Sequence, residues 1–153
     1  ENKDYYEAES LLLKESLNNI CDVIKDIRGG LKPESQDHSN ATIAEKIHKS
    51  EGLIDWATTS DEIKNKFLAF KKWPKVFFKF GGVNVEAVDL QLHSDDIGNP
   101  GEVYGFDQEA LKIYCKNGVV AITSVKFPGK KVIGSKDFFN SKRDIISRGD
   151  LLI

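Results

Sequence analysis

Five short apolar segments between residues 76 and 127 constrain the fold more than anything else in the chain: VFFKF, VNVEAVDLQLH, EVYGF, LKIYCK and VVAITSVKF. They are separated by Gly81-Gly82, Asn99-Pro100-Gly101 and Asn117-Gly118, residues that punctuate strands. Five strands at this spacing predict a small barrel. In the second segment Val83, Val85 and Ala87 share one face, whereas Val88, Leu90 and Leu92 follow the opposite phase. That slip predicts a bulge, which bends a long strand around a barrel corner. Asn117-Gly118 predicts a type I′ hairpin, whose central residues both need positive φ.

Helical signals flank these strands. A helix is expected from Thr59, where Thr59 and Glu62 have capping-box spacing, to about Lys72, with Pro74 stopping it. Ser135 is expected to N-cap a short helix carrying Asp137 in its first turn and Lys142 and Arg143 near its end. Upstream, Ala8, Leu12, Leu13, Leu17, Ile20, Val23, Ile24 and Ile27 recur mostly three or four apart, an amphipathic helix closed by Gly29 and Gly30. Its apolar stripe needs a cover, either the chain's own barrel or a second copy in a dimer. The polar run LKPESQDHSN, residues 31–40, reads as linker. The expected class is therefore mainly β with flanking helices: an OB-like, five-stranded Greek-key barrel preceded by an amphipathic helix and a linker.

Several functions are excluded or disfavoured. No run of about 18 apolar residues exists to span a bilayer, and the acidic start has no signal-peptide character, so a cytoplasmic location is expected and the Asn40-Ala41-Thr42 acceptor motif carries no weight. Cys21 and Cys115 lie far apart without metal-knuckle spacing, and both are expected to be buried thiols. A chain of 153 residues that begins at Glu1 and contains no Met is expected to be part of something longer.

Charge is segregated along the chain. Residues 1–62 carry net −7, residues 63–85 carry six lysines and no acid, residues 86–125 carry net −5, and residues 126–153 carry net +4. Folded together, the two basic blocks would form one positive face able to attract a polyanion. Phe67, Phe70, Trp73, Phe77, Phe78 and Phe80 interleave with the first block but sit at helix and strand spacing, so they are expected in the core. Trp56 and Asp55 are expected to anchor the linker. His38, His48 and His93 are expected on loops or the surface, and Arg148-Gly149-Asp150 is expected to be a turn.

ATIAEKIHKSEGLIDW, Trp73-Pro74, Pro100-Gly101 and Pro128-Gly129-Lys130-Lys131, in that order and through to Gly149, resemble the C-terminal half of bacterial methionyl-tRNA formyltransferases. The resemblance implies that residues 1–28 correspond to the end of a catalytic domain, 29–57 to a linker and 58–153 to an OB-like tRNA-binding domain. It implies that the catalytic groups lie in an N-terminal domain missing from this sequence, so no catalytic or metal-binding residue is assigned and the chain alone is expected to be inactive. The parent would use 10-formyltetrahydrofolate, with no cofactor in this chain, to formylate initiator Met-tRNA. The tRNA-binding residues implied are Lys64, Lys71, Lys72, Lys75, Lys79, Lys126, Lys130, Lys131, Lys142, Arg143 and Arg148, with Lys66 beside them. The Pro128-Gly129 corner would hold its lysines with little freedom left to lose. Two other readings are the matching region of a sugar N-formyltransferase and a free-standing OB-like nucleic-acid binder. Basic blocks this dense favour tRNA over a small sugar substrate, and the arm ending at Trp56 disfavours a free-standing barrel.

Overall fold

The computed structural model describes residues 3–152. Helix α1, Tyr5–Arg28, begins three residues before the expected start because Asp4 caps it. The Asp4 carboxylate accepts from the Tyr6 and Glu7 amides, and the Glu7 carboxylate accepts from the Asp4 amide. At the other end the Gly29 amide donates to the Lys25 carbonyl at 2.8 Å and Gly30 turns the chain with φ 95°. The segment that follows is exposed as far as Glu51, with 3₁₀ turns at His38–Asn40 and Lys49–Gly52. Its last residues join the sheet: the Ile54 amide donates to the Phe77 carbonyl at 2.8 Å, and Ile54 and Trp56 are buried.

Helix α2, Ser60–Ala69, has the expected Thr59–Glu62 capping box but ends short of Lys72. Phe70 leaves helical geometry at ψ 14°, and its carbonyl accepts from the Lys75 amide as the chain turns into the sheet. The sheet contains β1 (Phe77–Phe80), β2 (Val83–Ser94), β3 (Val103–Phe106), β4 (Leu111–Cys115), β5 (Gly118–Lys126) and β6 (Val132–Gly134). All five strand pairings are antiparallel, in the order β1-β2-β5-β4-β3, with β6 paired to β5. The sheet curls into a half-barrel around Phe78, Val85, Leu90, Leu111, Ile113, Val120, Ile122 and Val125, with Ile63 and Phe67 of α2 and Phe138 of α3 (Ser135–Lys142) completing the core. Burying side chains of this size contributes about 1.5–3 kcal/mol each before entropy is set against it.

The predicted bulge lies in β2, where the register with β5 shifts on both sides of Asp89 and leaves Val85, Ala87 and Leu90 all buried. Four expectations are corrected. A sixth strand, β6, takes the edge of β5 that β4 leaves free beyond Ile122. The β4–β5 hairpin turns on Lys116 and Asn117, neither with positive φ, so it is not a type I′ turn. Gly118 is required for space instead, since a Cβ there would lie 2.7 Å from the Ser94 carbonyl oxygen, and the Asn117 amide oxygen accepts from the Ser60 amide at the start of α2. Gly134, not Ser135, precedes α3 as its N-cap; the Ser135 hydroxyl donates to the Gln108 carbonyl. Finally, Cys21 is exposed while Cys115 is buried, where desolvation pushes its thiol pKa up.

Candidate nucleic-acid interface

The β1 entry loop, the start of β2 and the end of β5 meet around a groove of about 510 Å³. Lys49, Lys75 and Lys126 line it, from the 3₁₀ turn, the loop before β1 and the last residue of β5. Phe77, Phe127, Pro128 and Asn84 form much of the wall. Two of the three lysines come from the two basic blocks, separated by 51 positions in the chain yet brought to one place by β1–β2 and β2–β5 pairing. Glu86 also lines the groove and stands opposite Lys126 in register.

Local structure fixes these cations. Lys75 has φ 73°, a left-handed conformation rare outside glycine. Its ammonium donates to the Lys71 carbonyl in the turn after α2. The Lys75 carbonyl lies against Gly52, where a Cβ would come within 2.2 Å of it, so only glycine lets the Lys49 turn close over this loop. After Lys126 the chain reverses through Pro128 and Gly129, with φ 69° at Gly129 and the Lys130 amide donating to the Phe127 carbonyl at 3.0 Å, an arrangement that fits a type II turn. Lys130 and Lys131 are exposed beyond it, and the Lys142 ammonium sits 5.6 Å from the centre of the Phe127 ring.

The other predicted lysines are distributed differently. Lys64 donates to the Leu90 carbonyl at 2.6 Å, and burial pushes its pKa below the ordinary lysine value. Lys66 donates to the Leu53 carbonyl at 3.0 Å. Lys71 pairs with Asp4 at 3.5 Å, and Lys72 with Glu9 at 3.2 Å. Hydrogen bonds to the Tyr5 hydroxyl and then to Glu9 raise the Lys72 pKa. Lys79 and Arg143 are exposed and form no ion pair among the described residues. Arg148 lies 5.7 Å from the Tyr104 ring on β3, the far end of the strand order from β1, and Arg148-Gly149-Asp150 forms the expected turn. Charge counting missed Lys49, because it stands in a block whose net charge is −7.

Among the rings, Phe67 and Phe78 are buried and Phe70 and Phe80 pack against the core, as expected; Phe77 is half-buried. Trp73 departs from that expectation at 51% exposure, because it stands in the turn after α2 and not on an inward face. All three histidines are exposed. Among the described residues no group of three or more His, Cys, Asp or Glu could hold a metal ion, and no helix is long and apolar enough to cross a membrane.

Comparison with known proteins adds three findings. The family described as "Formyl transferase, C-terminal domain" matches residues 46–143. The methionyl-tRNA formyltransferase of Pseudomonas entomophila (strain L48) is 33% identical over 124 residues, covering 81% of this chain and 40% of the relative; that of Hahella chejuensis (strain KCTC 2396) is 33% identical over 123 residues, covering 80% and 39%. The chain thus spans about two-fifths of the length of these curated relatives. Among solved structures, HypX from Aquifex aeolicus in complex with tetrahydrofolic acid superposes with a TM-score of 0.57 at 21% identity over 92% of this chain and 26% of that one, a likeness of fold.

Proposed function

Because the chain belongs to the family of formyl transferase C-terminal domains, we propose that it is the RNA-holding part of a methionyl-tRNA formyltransferase. The parent transfers a formyl group from 10-formyltetrahydrofolate to initiator Met-tRNA in the cytoplasm during translation initiation. In this reading residues 1–28 end the catalytic domain, 29–57 link, and 58–153 form an OB-like Greek-key domain that grips the RNA backbone. The folate and the transfer step belong to the remainder of the parent, and the groove's ammonium groups suit a phosphodiester better than a pterin ring.

The observation that carries this reading is the shared groove of Lys49, Lys75 and Lys126 beside the Pro128-Gly129 corner. Three cations around one open groove can each neutralise a backbone phosphate and release its condensed counterions. Lys79, Lys130, Lys131, Lys142 and Arg143 extend the cationic surface, whereas Lys64 serves the fold. Lys71, Lys72 and Arg148 contribute once their present partners give way.

The test is anisotropy titration of this chain with a folded initiator tRNA transcript and with an unstructured oligonucleotide, across salt concentrations. Tighter binding to the folded tRNA, with affinity falling linearly in log salt, is expected. Equal or tighter binding to the oligonucleotide would favour a single-strand binder instead. Formyl transfer by this chain alone would overturn the division of labour.

A further inference from the structure

Among the described residues, the covered part of helix α1 is its N-terminal end. Asp4, Tyr5, Ala8 and Glu9 are partly covered, and residues 10–28 are all exposed. The contact is dense in charge. The Lys71 ammonium lies 3.5 Å from the Asp4 carboxylate, and Lys72 lies 3.2 Å from Glu9, 3.3 Å from the Tyr5 hydroxyl and 4.9 Å from the centre of the Tyr5 ring. The Tyr5 hydroxyl donates to Glu9 at 2.8 Å, so Tyr5 and Glu9 hold one another in the geometry that Lys72 meets. Beneath this contact α1 meets α2 through Ala8, Leu68 and Ala69, small or half-buried groups along a shallow groove.

We propose that the acidic first turn of α1 is an intramolecular competitor for the RNA backbone at Lys71 and Lys72, so that RNA binding at these two residues and docking of α1 exclude one another. The proposal rests on the RNA-holding function above. Both lysines lie in the turn that follows α2, and Lys71 also supplies the carbonyl that holds the groove residue Lys75. A carboxylate at 3.2–3.5 Å occupies the place of a phosphate oxygen. Phosphates that reach Lys71 and Lys72 therefore meet two cations already paired, and they gain them only by displacing Asp4 and Glu9. Exposed ion pairs of this kind are weak, so the exchange is reversible at ordinary salt. Release of Asp4 and Glu9 removes the two ion pairs that hold the start of α1 against Lys71 and Lys72, so the angle of α1 to the barrel should change.

The experiment compares the chain with its D4N/E9Q variant. Asn is as good an N-cap as Asp, so the start of α1 is kept. Affinity for initiator tRNA transcript should rise by between about twofold and thirtyfold in D4N/E9Q, the range that two exposed pairs span. E7Q removes a charge from the same turn that pairs with neither lysine, and it should bind within a factor of about two of wild type. In parallel, nitroxide labels on exposed Cys21 and on a Gln91→Cys variant report the angle of α1; their distance distribution should shift or broaden when tRNA saturates. Equal affinity in wild type and D4N/E9Q, or a distribution unchanged at saturation, overturns the competition while leaving RNA binding intact. Absence of tRNA binding in every variant overturns the functional reading and the competition with it.

Discussion

Removing Lys75 and Lys126 together should weaken RNA binding through its salt dependence while leaving the fold in place. The choice of substitution follows from the backbone. At φ 73° an alanine would keep the steric cost of a Cβ, so Lys75→Gly is paired with Lys126→Ala. Relief of the left-handed residue is worth about 1–2 kcal/mol. Against it stand the lost hydrogen bond to the Lys71 carbonyl, about 0.5–1.5 kcal/mol, and the added freedom of glycine in the unfolded chain, about 0.5–1 kcal/mol. The terms nearly cancel, and stability should stay within about 1 kcal/mol of wild type by urea denaturation. Binding should not stay. Two fewer neutralised phosphates reduce the slope of log affinity against log salt by about 1.4–1.8. Between 50 and 200 mM salt the wild type should therefore lose roughly ninefold more affinity than the variant, read by anisotropy with folded tRNA. An unchanged slope in a folded variant would remove the groove from the interface.

Three further outcomes follow from the geometry. Glu86→Gln takes the one carboxylate among the described lining residues out of the groove wall and should tighten tRNA binding about twofold to fivefold, measured by the same titration; weaker binding would mean that Glu86 holds Lys126 in place. Gly52→Ala forces a Cβ to 2.2 Å from the Lys75 carbonyl and should destabilise the protein by about 1–3 kcal/mol in thermal melts, while Gly129→Ala, with nothing within 4 Å, meets only the cost of its positive φ. Acid stability should depend on Glu62, whose pKa is lowered by Thr59, first through its side chain and then its backbone. The unfolded state binds the proton more readily, so stability present above the ordinary glutamate range is lost as pH falls through the lower folded value, and Glu62→Gln should flatten that limb of a melting-temperature profile.

Much of the architecture was legible because its signals are local. Thr59 and Glu62 cap a helix by spacing alone, and the phase change between Ala87 and Leu90 leaves its mark on any strand that must bury both. The misses share a different origin, since each depends on a residue distant in sequence. Gly118 is read as a turn glycine until the Ser94 carbonyl is seen above it, and Ser135 as a cap until Gln108 takes its hydroxyl. The three residues of β6 are too few to show a period, and only the vacant edge of β5 recruits them. The site suffers most from this. Counting charge in blocks brought forward Lys64, whose ammonium serves the Leu90 carbonyl, and hid Lys49, whose acidic neighbours in sequence are not its neighbours in space. Likewise, nothing in the run of lysines at 71 and 72 reveals that Asp4 and Glu9 already hold them.

The Pro128-Gly129 corner hangs between β5 and β6, two strands hydrogen-bonded to each other, and β5 is also bonded to β2 and β4. Any pull on Lys130 or Lys131 thus runs straight into the strand with the most neighbours, where it is shared across the sheet. A load placed there would peel away from the ammonium groups one contact at a time before the handle that bears them began to yield.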